Sequence, residues 1–260
     1  MITHEDLNRV GSGSTIPDIL IASAIINSNP EIKNFYEFGT WVGGFIISVN
    51  RLTDNLKFYA SETMEHFKFQ ELKNRLPLVK WDQITSLDSL DLYIKEASLR
   101  EYNKKIDLTM FISNDTMIKN VSQPLDFIHF DCIVDGDEVY HTAKNLIENN
   151  MSEHGIFCVD DFGALCGFRT MAISKLISEN KLFPFYFGDK KVFCCKSQGQ
   201  QDIAVDLLLN YSKTEESKEK FALLYKNNQN FRSFVLSFNG TRHRHFKYDQ
   251  RWTKTEISYE

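Results

Sequence analysis

The sequence predicts an α/β protein: a mostly parallel seven-stranded sheet with an antiparallel last strand and helices on both faces. Three observations carry this reading. Short, β-rich apolar runs alternate with stretches at helical spacing. The first of those runs ends on a glycine-rich turn, Gly39-Thr40-Trp41-Val42-Gly43-Gly44, and acidic residues recur where successive runs end. Strands that alternate with helices are parallel, because each crossover lays a helix on the sheet.

Residues 1–14 are polar, with two glycines, and read as loose. Pro17 opens the apolar stretch 18–26, and a proline's fixed φ suits the first turn of a helix. Residues 34–38 form a strand, 39–44 a turn and 45–52 a helix; 57–61 form the second strand and 64–76 a helical stretch. Leu87, Leu90, Ile94 and Ala97 keep helical spacing. Strands follow at 106–112 and 127–131, then a helix marked by Val139, Ala143, Leu146 and Ile147. A strand at 156–159 and a helix at 171–177 precede a closing antiparallel pair, 182–187 and 191–195, around Gly188-Asp189. Ser197-Gln198-Gly199-Gln200-Gln201 reads as a linker, followed by helical stretches at 203–209 and 221–225. The organisation expected is an N-terminal helical segment (1–33), a main domain (34–197) and a C-terminal helical extension (198–260) for packing, dimer formation or substrate cover.

Composition excludes several classes. An apolar fraction of 42% with 25% charged residues belongs to a folded chain, not a disordered one. A net charge of −5 argues against a dedicated duplex-DNA binder, whose affinity comes from neutralising phosphates. Residues 198–260 are slightly basic, with ten Lys/Arg against eight Asp/Glu, and 241–248 is basic and aromatic. That stretch could face nucleic acid or an acidic substrate; packing or homo-oligomer formation is the preferred reading. Cys132, Cys158, Cys166, Cys194 and Cys195 have no metal-type spacing and read as reduced, mostly buried thiols. The longest uncharged run, 38–50, has thirteen residues and is too short to span a bilayer. With no secretory signal in view, a cytoplasmic protein without a membrane partner is expected.

The chemistry gathers at the strand ends. In an open α/β sheet, ligands bind outside the carboxyl ends of the strands, near the switch in strand order. The turn after Glu37 precedes a helix, and its glycines would let backbone approach a ligand closely. Its spacing is not the GxGxxG of a dinucleotide site, which disfavours a nicotinamide-dependent reductase. Glu62 closes the second strand, twenty-five residues after Glu37, where an acid can accept hydrogen bonds from both hydroxyls of a ribose. Asn114-Asp115, after the third strand, stands where an adenine amino group needs an acceptor. Asp131 ends the fourth strand and Asp160-Asp161 the fifth. Carboxylates brought that close repel unless one is protonated or a cation lies among them, and three of them suit Mg²⁺. Asp135 and Asp137 are rivals on the next loop; the preferred assignment gives Asp131 to the metal and Asp137 to a helix cap.

At these residues the chain resembles a class I S-adenosylmethionine-dependent methyltransferase, and within that class the metal-dependent, macrocin-type sugar O-methyltransferases. The family's G-x-W-x-G-G loop is matched by Gly39 to Gly44, and its acid–Ser/Thr–apolar–Glu motif by Glu62-Thr63-Met64-Glu65. An Asp-Thr pair is matched by Asp115-Thr116. Asp-Asp-aromatic-Gly followed by Gly-x-Arg is matched by Asp160-Asp161-Phe162-Gly163 and Gly167-Phe168-Arg169. The likeness covers roughly residues 35–196. It departs after Asp131, where 132–139 intervene before Tyr140, so the first metal ligand could be Asp131 or Asp135.

The resemblance implies a Rossmann-like methyltransferase fold and a cofactor, S-adenosylmethionine, held by Glu37, Gly39, Thr40, Trp41, Gly43, Glu62, Thr63, Asn114, Asp115 and Asp131. It implies Mg²⁺ on Asp131, Asp160 and Asp161, lowering the pKa of a substrate hydroxyl, the substrate expected being a small polyol such as a sugar of a natural product or glycan. Asp131, His129 or His141 would take the proton, with His129 mid-strand also readable as a core histidine. Two alternatives stand beside this one: a metal-independent methyltransferase of the same fold, and a non-catalytic relative that binds a partner through residues 221–248.

Overall fold

In the computed structural model, residues 2–68, 70–132, 135–162, 167–187, 190–211, 213–220, 244–247 and 256–259 are described. In chain order the elements are α1 (His4–Val10), α2 (Ile16–Ser28), β1 (Asn34–Phe38), α3 (Gly44–Leu52), β2 (Lys57–Ser61), α4 (Gln70–Arg75), α5 (Leu87–Tyr102), β3 (Asp107–Phe111), α6 (Asn114–Asn120), β4 (Leu125–Phe130), α7 (Gly136–Asn145), β5 (Met151–Val159), α8 (Gly167–Ser178), β6 (Phe183–Phe187), β7 (Val192–Cys195), α9 (Gln198–Tyr211), α10 (Glu215–Lys220), β8 (Arg244–Lys247) and β9 (Glu256–Tyr259).

β1 to β7 form one sheet in the order β3-β2-β1-β4-β5-β7-β6, with β7 antiparallel to both of its neighbours. Chain order runs outward from β1 in one direction and from β4 to β5 in the other, with β7 inserted before β6, so the switch point lies between β1 and β4. This is the Rossmann-like methyltransferase fold expected from the sequence. Side chains alternate between faces along each strand. Phe35, Phe58, Phe127, Ile156 and Phe193 pack on one face with α2, α3, α5 and α9. Tyr36, Tyr59, Ile128, Phe157 and Cys194 pack on the other, where α7 and α8 lie. α2 is apolar around most of its circumference because it packs against both α3 and α9.

Three expectations need correction. Residues 1–14 are not all loose: Thr3 and Asp6 form a reciprocal capping box, Gly11 ends α1 in the left-handed region at φ 71°, and Leu7 and Val10 are buried. The glutamine-rich linker is the first turn of α9, whose Ala204, Val205 and Leu208 belong to the sheet's own core. The C-terminal extension is not wholly helical, since β8 and β9 pair antiparallel. The expected helix at 221–225, the Gly188-Asp189 turn, Gly163 and Cys166 lie outside the described residues. Cys132, Cys158, Cys194 and Cys195 are free thiols, and the last three are buried. Among the described residues, no helix is long and apolar enough to cross a membrane.

Candidate active site

The strand ends meet at one rim because the parallel register aligns them. Phe38 pairs with Ser61 on one side and with Phe130 on the other, and Phe130 with Val159. The next residues along each strand therefore face a common edge. Asp131 N–H donates to the Phe38 carbonyl (2.9 Å) and Asp160 N–H to that of Phe130 (3.0 Å), extending the ladder one step beyond the strands.

On the β2 side, the glycine turn folds against Ser61 and Glu62. Gly39 and Thr40 N–H both donate to the Ser61 carbonyl at 3.1 Å. Glu62 is buried, and its Oε2 accepts from Trp41 N–H (2.7 Å) while Oε1 accepts from Met64 N–H (3.2 Å). A carboxylate oxygen has two lone pairs, so both can still accept from a hydroxyl. Gly39 has φ 83°, and a Cβ there would lie 2.5 Å from the Asp131 carbonyl oxygen. Only glycine fits between the ends of β1 and β4. Trp41, at φ 50°, places its buried indole Nε1–H without a hydrogen-bond partner among the described residues. A buried acceptor acid and an orphaned buried donor on one turn fit a nucleoside better than a closed structural loop.

Asn114 joins the neighbouring strand ends. Its Oδ1 accepts from Ser61 Oγ (2.6 Å) and its Nδ2 donates to Cys132 Sγ (3.2 Å). Burial pushes the Cys132 thiol up to about 12. Asp115 is exposed in the first turn of α6, and Thr63 is exposed beside Glu62. The expected ligand glycine Gly43, and Gly44 beside it in the turn, are also close-packed. A Cβ on Gly43 would strike Ile94 of α5 at 2.5 Å, and one on Gly44 would strike the backbone of Ser12.

The second half of the site is a polar row across β1, β4, β5 and β7, which are consecutive neighbours in the sheet. Thr40 Oγ1 donates to Glu37 Oε2, and Glu37 Oε1 lies 2.7 Å from His129 Nδ1. His129 Nε2 lies 2.8 Å from Lys191 Nζ, which in turn lies 2.6 Å from Asp160 Oδ2. The Lys191 ammonium can only donate, so Nε2 accepts and Nδ1 carries the ring proton, which it donates to Glu37. Phe45 of α3 roofs the row: its ring is 4.1 Å from that of His129 and 4.5 Å from Lys191 Nζ.

Burial sets the electrostatics. It pushes His129 well below the usual histidine range, helped by the Lys191 ammonium, so the ring is neutral. It pushes Glu37 well above the carboxylate range, against the hydrogen bond from Thr40. At Asp160 burial acts in the same raising direction and is the largest single influence, but Lys191 and the Asp161 N–H are among the groups that together hold the carboxyl below its ordinary value. Burial acts to lower Lys191, and Asp160 reverses that and raises it. Asp131 has a side chain one-third exposed (33%), and its Oδ1 accepts from Arg169 Nη1 at 3.1 Å. Its carboxyl is raised by the chain atoms walling it in and by Asp160. Arg169 also donates to the carbonyls of Asp160 (2.9 Å) and Cys132 (3.2 Å), which ties the ends of β4 and β5 together.

Several expected roles change. His129 is fully enclosed with both ring nitrogens engaged, so it cannot take a proton from a substrate. His141 is exposed on α7 with its ring edge-on to Tyr140. Glu37 lies behind the glycine turn and not at its surface. Asp135, not Asp137, caps α7: its Oδ1 accepts from Asp137 N–H (3.1 Å) and Glu138 N–H (3.0 Å). That gives Asp135, the rival metal ligand, a capping role through its Oδ1. Asp161 has φ 50° and gives its N–H to Asp160 Oδ1 (2.8 Å). Among the described residues no three acidic, histidine or cysteine side chains are grouped to hold a metal ion. The set Asp131, Asp160 and Asp161 does not fit Mg²⁺ as arranged, because Lys191 Nζ and the Asp161 N–H engage both oxygens of Asp160, Arg169 engages Asp131, and the buried ammonium would stand beside the ion.

Sequence reasoning missed Lys191. Its signal was parity: it has the same alternation as Phe193 and Cys195, both buried on the α3 face.

No protein-family model matches the chain, and no curated protein sequence matches it. Among solved structures it is similar to a candidate caffeoyl-CoA O-methyltransferase from Staphylococcus aureus, at 13% identity and TM-score 0.50, over 73% of this chain and 88% of that one. It is also similar to an O-methyltransferase from Bacillus cereus solved in complex with SAH, at 13% identity and TM-score 0.49, over 75% and 93% of the two chains. At such identities the likeness concerns the fold.

Proposed function

We propose that the protein is an S-adenosylmethionine-dependent O-methyltransferase acting on a hydroxyl of a small polyol, with a sugar as the favoured class. The observation that carries this reading is the buried Glu62 carboxylate at the end of β2, seated against the glycine turn that follows β1. The sulfonium cofactor, when bound, supplies an electrophilic methyl group. Glu62 would accept the ribose hydroxyls, and the Trp41 indole N–H would meet an acceptor on the same ligand. Asn114, fixed by Ser61 and Cys132, would border the base. Methyl transfer depends on in-line positioning, so a rigid rim is most of what the chain has to provide.

The acceptor hydroxyl must lose a proton, and in this reading Asp131 would take it. Its carboxyl is partly exposed, its basicity is raised, and Arg169 fixes its orientation. The sugar preference rests on the sequence motifs alone, since a fold does not fix a substrate.

Calorimetry with S-adenosylhomocysteine tests the reading. Saturable binding is expected for the native chain, with Glu62→Ala weaker by about tenfold to a hundredfold, the worth of a hydrogen bond to a charged group. A well-folded native chain that binds none would refute it.

A further inference from the structure

A full positive charge is built into the rim. Lys191 Nζ is completely buried and has two partners within hydrogen-bond distance, Asp160 Oδ2 at 2.6 Å and His129 Nε2 at 2.8 Å, with the Phe45 ring on a third side. The residues next to it are pinned as well. Lys190 N–H donates to Asp18 Oδ2 (3.2 Å), and Lys190 Nζ to the Gly13 carbonyl (3.3 Å). The Lys190 carbonyl accepts from Phe162 N–H (2.9 Å). The ammonium is thus held from the β7 side, by the N-terminal segment and by the chain leaving β5.

We infer that Lys191 is an internal cation that occupies the place a divalent ion would need at this rim, so that the protein works without one. The argument is one of charge and space. A dication bridging Asp160 and Asp131 would have to compete with Lys191 Nζ for Asp160 Oδ2 or with the Asp161 N–H for Oδ1. It would also lie within a few ångströms of an ammonium that cannot swing away, since its stem is enclosed on every side. In a water-poor setting that repulsion is weakly screened. The reach of Arg169 to Asp131 adds a second fixed positive charge beside the first. Lys191 is therefore a positioning residue: it neutralises Asp160 and holds the ends of β5 and β7 in register, and it touches no substrate. This deepens the methyltransferase reading and rests on it for its setting, but the charge argument stands on the residues themselves.

Manganese binding, followed by electron paramagnetic resonance with Mn²⁺ as the only added ligand, tests the inference on the full chain. The native protein is expected to show no saturable binding at millimolar Mn²⁺. Lys191→Met is expected to gain binding, by roughly an order of magnitude or more in affinity, as the freed carboxylate recruits the ion. Saturable binding by the native protein that Asp160→Asn removes would overturn the proposal. So would a folded Lys191→Met that still binds none, because Lys191 would then not be what excludes the ion. If Lys191→Met folds poorly, Mg²⁺ should raise its melting temperature while leaving that of the native protein unchanged, and no such rise would count against the inference. S-adenosylhomocysteine calorimetry on the same native sample reports separately on the methyltransferase reading, so the two can fail independently.

Discussion

At the residue scale the account turns on a few side chains whose burial forces their chemistry. Lys191 and Asp160 are stable together because each would be costly alone. Removing one member of such a pair leaves an uncompensated buried charge, so Lys191→Met should lose about 3–5 kcal/mol in urea unfolding. The pH dependence has a definite sign. Asp160 is depressed, so its contribution is present above the unfolded value of about 3.9 and is lost as pH falls through its lower folded value. Lys191 is raised, so its contribution is present below about 10.4 and is lost as pH rises through its higher folded value. In Lys191→Met the buried Asp160 has lost its cation and burial raises its carboxyl, so the variant's own stability should increase as it takes up a proton, and the gap to the native protein should narrow from pH 9 to pH 5. A gap of the same size at pH 5, 7 and 9 would mean that Asp160 is not buried as described. The neutral His129 and the raised Glu37 link this pair to the glycine turn, so the two halves of the rim share one line of hydrogen bonds.

At the scale of elements, caps and turns decide where the functional side chains end up. The Asp135 carboxylate satisfies two N–H groups at the start of α7. Asp135→Ala should cost about 1 kcal/mol of stability and leave S-adenosylhomocysteine affinity unchanged; a loss of affinity would return Asp135 to the site. Asp137 was the preferred cap from sequence because either Asp can open that helix, and spacing alone does not distinguish them. The strands were legible: β1 and β2 match the reading residue for residue, because each is a short apolar run bounded by polar residues. α1 was not, although Thr3, Asp6 and Gly11 are capping signals, because only two of its seven residues are buried and no apolar stripe stands out. The glutamines that read as a linker are the polar first turn of a helix whose apolar face begins later, at Ala204.

At the scale of the whole molecule, α9 belongs to the same core as the sheet. Ala204, Val205, Leu208 and Tyr211 pack into the cluster that contains α2 and the β-strand phenylalanines. A chain ending after residue 197 should lose its cooperative thermal transition, because α2 would present its long apolar face to water. Native-like melting of that truncated chain would contradict the packing. The gathering of Glu62, Asp131 and Asp160 at one edge was readable from the sequence because strand ends of a parallel sheet share an edge. The identity of the cation among them was not, because Lys191 is far along the chain from the acids and enters as a β7 neighbour only once β5 and β7 pair. The central claim is that this edge holds an S-adenosyl nucleoside. A crystal structure of the full chain with S-adenosylhomocysteine tests it most directly. The account predicts ribose hydroxyls on the Glu62 carboxylate, with the ligand lying along Gly39, Thr40 and Trp41; a nucleoside bound away from Glu62 would contradict it.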